Sequence, residues 1–202
     1  MSGDAARSLD PEFPNLPEDV VVGYRNAPAH IVAEILNGEL SLMPRPRPRH
    51  SRAAVRMAGE FRPFDNPRGD DPGGWIILIE PELRLGPLPD IVVPDLAGWH
   101  RDRLPEEVFT NDDVVSIPIA PNWVCEVLSP STAKVDRTDK LEIYLREGVG
   151  HAWLVDPAAH LLEIFRATPD GWLRARAFEG DAPVRAEPFD AIALPLGALW
   201  GR

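Results

Sequence analysis

Short apolar runs alternate with turn residues along much of the chain, which predicts strands joined by tight connections. Asn37-Gly38 and Asp170-Gly171 lie between such runs and predict hairpin turns. Helical spacing of apolar positions predicts helices from about His50 to Phe64, within residues 105–115 and from Asp136 to Glu147. The order of hairpin, helix, strands, helix, strand and hairpin predicts an α/β (α+β) fold with a mixed sheet and helices packed on it.

One predicted strand, WVCEVL at residues 123–128, contains a carboxylate. Side chains alternate between the two faces of a strand, so Glu126 shares a face with Val124 and Leu128. Both faces are largely apolar, which indicates a strand buried on both sides. A buried carboxylate is costly unless it is paired, bound to a metal or protonated, so Glu126 is a candidate site residue. The alternative is a glutamate at a strand edge that pairs with an arginine.

Two further residues are candidates to join Glu126. Asp95 ends the run PDIVVPD, and it lies at the end of a strand if that strand continues; Asp90, at the start of the same run, is its rival. Lys140 is four residues from Asp136 and four from Tyr144, which places the three on one side of a helix soon after the Glu126 strand. The alternatives are an ordinary Pro-Asp turn and a solvated lysine paired with Asp136.

Two carboxylates and a lysine form a plausible site for phosphodiester hydrolysis. Carboxylate oxygens and waters suit Mg²⁺, which lowers the pKa of a bound water and offsets charge on a phosphoryl oxygen. A nearby lysine could orient that water or stabilise the transition state.

Composition limits the partners and the compartment. A net charge of −11 over 202 residues argues against a protein that coats nucleic acid through overall basicity, but it allows a site that contacts a few phosphates. No run reaches the ~18 apolar residues of a membrane span, the polar first residues lack the features of a signal peptide, and the single Cys125 cannot form an internal disulfide. We therefore expect a cytoplasmic protein with a flexible segment at residues 1–19 and one domain at 20–202.

Several segments together resemble the PD-(D/E)XK nuclease superfamily and, more closely, the bacterial Uma-type family of restriction-like endonucleases. The matching segments extend over roughly residues 31–167; they are ILNGEL, VVPDLAGW, WVCEVLSPST, DRTDKLEIYLREGV and HAWLVDP. The resemblance implies a restriction-endonuclease-like mixed central sheet flanked by helices, here with added hairpins. It also implies Mg²⁺ or Mn²⁺ bound by Asp95 and Glu126.

The lysine departs from the superfamily pattern, which places it two residues after the second acid, where this chain has Leu128. Lys140 matches it instead, with a less certain role than the two acids. By the same resemblance Glu39 matches an accessory acid, and His50 and Asp136 match recurring polar positions without assigned roles.

The leading hypothesis is a metal-dependent endonuclease that acts on DNA, and the resemblance suggests a homodimer. Arginines that could contact DNA phosphates are Arg45, Arg47, Arg49 and Arg52, although a solvated loop explains them equally well. The alternatives are a nuclease-fold module that binds nucleic acid or protein without catalysis, and a metal-independent hydrolase that uses the carboxylate pair on another substrate.

Overall fold

The computed structural model describes residues 12–66 and 72–200. Its strands are β1 (Ile31–Leu36), β2 (Glu39–Pro44), β3 (Trp75–Ile79), β4 (Leu83–Leu85), β5 (Asp90–Val92), β6 (Leu96–His100), β7 (Trp123–Val127), β8 (His151–Asp156), β9 (Leu161–Thr168), β10 (Gly171–Glu179), β11 (Pro183–Val184) and β12 (Leu194–Pro195). Its α-helices are α1 (Glu18–Arg25), α2 (Pro48–Glu60), α3 (Glu107–Thr110), α4 (Ala133–Val135), α5 (Leu141–Arg146) and α6 (Leu196–Leu199). A 3₁₀ turn at Arg101–Arg103 and a π-helical segment at Asp136–Lys140 complete the elements.

The strands form a large sheet, a small sheet and a short ribbon. The large sheet has six strands in the order β10-β9-β8-β7-β6-β3, with β7 and β8 parallel and all other neighbours antiparallel. The small sheet has the order β2-β1-β5-β4, and β11 pairs with β12. This arrangement confirms the predicted mixed sheet with helices packed against it and hairpins added.

The chain passes from the small sheet to the large sheet through Val93, Pro94 and Asp95. In β5, Ile91 pairs with Ile35 of the small sheet, whereas Leu96 pairs with Cys125 of the large sheet. The strand therefore does not continue from β5 through Asp95, because Pro94 has no N–H to donate to a ladder. Asp95 directly precedes β6 instead of ending a longer strand.

The central strand β7 is buried on both faces, as predicted. On one face Trp123 and Cys125 join the cluster that includes Met57 of α2 and Leu196 of α6. On the other face Val124 joins a second cluster with Tyr144 of α5. Every residue of β7 is buried, so the Glu126 carboxylate lies inside the protein between two apolar layers.

Helix α2 begins earlier and ends earlier than the apolar spacing predicts. Pro48 is compatible with the first turn of a helix, because its missing N–H would have no intrahelical partner there. Along the helix Ala53 and Met57 face the core, and Val55 is exposed.

The N-terminal segment is packed where it is described. Residues 1–11 of the predicted flexible segment lie outside the described residues, but Phe13 and Leu16 are buried against Ile35 and α1 begins at Glu18. The hairpin at Asn37 and Gly38 is confirmed, with φ angles of 52° and 81° that match a tight turn. Among the described residues no helix is both long and apolar enough to cross a membrane.

Candidate active site

The Lys140 side chain joins the two sheets at a cluster of acids. Its Nζ atom lies 2.9 Å from Glu126 Oε1, 3.2 Å from Glu34 Oε1 and 3.8 Å from Asp136 Oδ1, and it donates to the Val93 carbonyl at 3.1 Å. Glu126 belongs to the large sheet, and Glu34 belongs to the small sheet. Lys140 therefore forms ion pairs with acids from both sheets and one hydrogen bond to the segment between them.

The Lys140 ammonium and the carboxylates around it stabilise each other's charged forms. Burial lowers the pKa of Lys140, but the neighbouring carboxylates, Glu126 foremost, outweigh burial and raise that pKa well above its usual value. Burial raises the pKa of Glu126, with Lys140 acting in the opposite direction and the carboxylates of Asp136 and Asp95 adding to the rise. The ammonium is therefore a firmly protonated counter-ion to a crowded group of acids.

Tyr144 fixes the Glu126 carboxylate from the other side. Its hydroxyl donates to Glu126 Oε1 at 2.6 Å, and the same oxygen forms the ion pair with Lys140. Lys140 and Tyr144 both come from the helical segment that follows β7. The prediction that residues four apart lie on one side of this segment is confirmed. Within residues 12–66 and 72–200, Glu126 Oε2 makes no hydrogen bond or ion pair.

Asp95 is held through one oxygen by two donors. Its Oδ2 accepts from the backbone N–H of Val127 at 2.6 Å and lies 3.0 Å from His50 Nε2. Burial lowers the pKa of His50, but the hydrogen bond and charge of Asp95 outweigh burial and raise it above the ordinary value. In the described part of the chain Asp95 Oδ1 has no partner, and the buried Nδ1 of His50 has none either.

A π-helical segment brings Asp136 and Lys140 into the site together. Such segments are rare and are frequent at functional sites, because one wider turn changes which side chains face inward. Both residues are buried. Burial raises the pKa of Asp136 to about 6, with Lys140 and the Thr132 side chain acting in the opposite direction.

These side chains line a cavity of about 80 Å³ whose walls include Glu34, His50, Asp95, Glu126 and Lys140. By this measure one water needs about 10–15 Å³, so the cavity has room for a cation with a few waters. In the described ranges no group of three or more His, Cys, Asp or Glu side chains is already arranged around a metal position. The Lys140 ammonium lies among the carboxylates instead.

The donor chemistry fits a hard cation. Asp95 Oδ1 and Glu126 Oε2 are carboxylate oxygens of the kind that Mg²⁺ prefers, and both residues line the cavity. The walls include four carboxylates, Glu34, Asp95, Glu126 and Asp136, one ammonium and the exposed guanidiniums of Arg45 and Arg47. The buried carboxylates around Lys140 outnumber its single charge, which favours a divalent cation electrostatically.

The structure brings together most of the predicted residues: Asp95, Glu126, Lys140, His50 and Asp136 line one cavity. The rival Asp90 lies elsewhere, paired with Arg146. Glu39 is exposed at the start of β2 and is not among the lining residues, so it is not positioned to assist a metal here. Glu34, five residues earlier, lines the cavity.

The sequence contained a signal for Glu34. In IVAEIL it alternates with apolar residues, as Glu126 does in WVCEVL, so the same argument from a carboxylate inside an apolar strand applies to it.

The four predicted phosphate-binding arginines divide into two groups. Arg45 and Arg47 are exposed and line the mouth of the cavity. Arg49 and Arg52 are not among the lining residues, and the guanidinium of Arg49 donates to the Pro157 carbonyl. Only the first pair is placed to meet a substrate at this cavity.

Comparison with known proteins identifies the fold and the family. Residues 14–197 match the family model Uma2, described as "Putative restriction endonuclease". The chain belongs to the Uma2 family. The crystal structure of a "putative nuclease belonging to DUF820" from Anabaena variabilis has the same fold, with a TM-score of 0.65, 22% identity, and coverage of 84% of this chain and 89% of that one. No protein of curated function matches the chain. Membership of the Uma2 family supports a nuclease that acts on nucleic acid.

Proposed function

We propose that the protein is a Mg²⁺-dependent endonuclease that hydrolyses phosphodiester bonds in DNA, with Mn²⁺ as a substitute ion. The observation that carries the proposal is the acidic cavity, in which Asp95 and Glu126 each keep one unengaged oxygen beside a protonated Lys140. Membership of a family described as restriction endonucleases supports the same conclusion.

Asp95 and Glu126 would hold the metal ion, which supplies a bound water of lowered pKa and a positive charge beside the phosphoryl oxygen. His50 and the Val127 amide position Asp95 by engaging its Oδ2. Tyr144 and Lys140 position Glu126 by engaging its Oε1. Each acid thereby turns one oxygen to its supporting residues and keeps the other for a ligand.

Lys140 has two successive roles in this proposal. It first holds Glu34 and Glu126 together as their counter-ion. Because it already pairs with both acids and donates to the Val93 carbonyl, it orients the attacking water only after one of these partners is released. Arg45 and Arg47 at the mouth neutralise the flanking phosphates.

The proposed compartment is the cytoplasm, where DNA is available and the buried free thiol of Cys125 stays reduced. The homodimer stays a prediction.

The test is cleavage of supercoiled plasmid with Mg²⁺ or Mn²⁺, with chelation as the first control. Two matched pairs of variants isolate the cavity: Asp95→Asn against Asp90→Asn, and Glu34→Gln against Glu39→Gln. The first member of each pair should lose about 10²-fold or more in rate, and the second should stay within about twofold. Activity that is equal within each pair, or that survives chelation, would contradict the metal-dependent site.

A second candidate, a nuclease-fold module without catalysis, is favoured by one observation. Lys140 already neutralises Glu34 and Glu126 in the folded chain, so the acids do not need a metal to be stable. Calorimetric titration with Mg²⁺ separates the two candidates. Binding that is lost in Asp95→Asn supports the nuclease, and no binding to the unaltered protein supports the module.

A further inference from the structure

A second and larger depression lies beside the acidic cavity. Its volume is about 360 Å³, within the ~300–1,000 Å³ range of pockets for small organic ligands. It shares Val32, Arg45 and Val93 with the acidic cavity, so the two cavities are adjacent. The acidic cavity is large enough for an ion and a few waters, and this neighbour is large enough for part of a nucleotide.

The second cavity offers hydrogen-bond acceptors for a base beside cations for a phosphate. Its walls carry the carboxylates of Glu80 and Glu82 and the aromatic Tyr24, together with the guanidiniums of Arg25 and Arg45. The hydroxyl of Tyr24 donates to Glu82 Oε2 at 2.8 Å. Within the described residues, no hydrogen bond or ion pair engages Glu82 Oε1.

A half-buried carboxylate with one engaged oxygen is a selective acceptor. Burial raises the pKa of Glu82, with the Tyr24 hydrogen bond acting in the opposite direction, so a further N–H donor would stabilise its charged form. Carboxylates accept from the exocyclic amino group of cytosine in protein–DNA recognition, and thymine has no such group.

The backbone connects this cavity to the catalytic acid. Glu80 has a φ of 49°, a left-handed conformation that is uncommon for a residue other than glycine. Its N–H donates to the carbonyl of Asp95 at 3.0 Å. Arg45 lies in the wall that both cavities share, where a phosphate joining the two would meet a positive charge.

We propose that the second cavity binds an amino-bearing base, cytosine in the test below, from the nucleotide next to the bond that is cut. Glu82 accepts the amino hydrogen, and Arg45 contacts the phosphate between the two cavities. This inference rests on the proposed nuclease function. It restricts the substrate to nucleic acid with an unpaired or extruded nucleotide next to the bond that is cut.

The experiment measures binding, so it does not depend on cleavage. The affinities of dCMP and dTMP are determined by NMR titration for the unaltered protein, for Glu82→Gln and for the matched control Glu179→Gln, which alters an exposed acid at the end of β10. We expect dCMP to bind about tenfold more tightly than dTMP. The ratio should fall to within about twofold in Glu82→Gln and stay unchanged in Glu179→Gln.

A purely structural role for Glu82 gives a different pattern. In that case Tyr24→Phe and Glu82→Gln would lower stability by similar amounts without changing the ratio of the two affinities. Equal binding of the two nucleotides, no binding of either, or a ratio that persists in Glu82→Gln would each overturn the proposal.

The two proposals fail separately. If the protein cleaves plasmid but binds both nucleotides with equal affinity, the nuclease proposal stands and the base-binding proposal fails. If it binds dCMP more tightly but cleaves nothing, the base-binding proposal stands and the nuclease proposal fails.

Discussion

Replacing Lys140 by methionine should destabilise the fold strongly, although methionine is apolar and similar in length. The ammonium is 5% exposed, and its nearest acids, Glu126 and Glu34, are equally buried at distances of 2.9 Å and 3.2 Å. Without the ammonium those acids remain inside the protein with no counter-charge. They must then either bear the cost of an isolated charge or take up a proton.

The magnitude follows from the burial of the pair. Breaking a buried ion pair by removing one partner costs about 3–5 kcal/mol, because the other charge is left uncompensated. For a chain of this size, a loss of that order lowers Tm by about 6–20 °C. The loss should shrink at acidic pH, where the acids are neutral, and on addition of Mg²⁺, which replaces the missing charge.

The assay is urea unfolding at neutral pH of Lys140→Met, Glu126→Gln and the double variant. Because the double variant removes one charge of each sign, it should recover at least about 1 kcal/mol relative to the sum of the single losses. Additive losses to within about 0.5 kcal/mol, or a Lys140→Met loss below about 1 kcal/mol, would refute the claim that the cluster is a buried network of ionised groups.

Three further predictions concern residues around the same cluster. Tyr144→Phe should lower the unfolding free energy in urea by about 1.5–3 kcal/mol, because the charged Glu126 loses a 2.6 Å hydrogen bond. Asp136 has a pKa of about 6 in the folded protein and an ordinary value of 3.8, so its ionisation destabilises the fold as pH rises from about 4 to 6. Asp136→Asn should therefore be about 1–3 kcal/mol more stable than the unaltered protein at pH 7 and equally stable near pH 4, measured by melts at different pH. His50→Ala should weaken Mn²⁺ binding, measured by calorimetry, about 10–100-fold, and His50→Gln should restore part of it; equal affinities would exclude a positioning role.

Periodicity alone predicted the parts of the site that lie within single elements. Glu126 is identified because a charge in an apolar strand is costly wherever that strand is buried. Asp136, Lys140 and Tyr144 share a side because a helix repeats about every four residues, and Asp136 and Lys140 still approach each other to 3.8 Å across the π-helical turn.

Local pattern did not predict which acid from the N-terminal hairpin would reach the site. Glu34 and Glu39 are close in sequence, but the hairpin places Glu34 in the buried middle of β1 and leaves Glu39 exposed beside the turn. The apolar run around Glu34 indicated its burial, but its position beside the site depends on β1 lying next to β5, a contact between distant segments. The position of Asp95 between two sheets likewise required the tertiary structure.

The cluster at Lys140 makes activity depend on the packing of two sheets. One of these sheets carries tryptophans and the other does not. Five of the six tryptophans lie in strands of the large sheet, and the sixth, Trp200, directly follows α6. The small sheet contains no tryptophan, yet it supplies Glu34 to the cluster. Local opening of the small sheet would therefore remove Glu34 from the cluster without moving a strand that carries tryptophan, and indole fluorescence would report that opening only weakly.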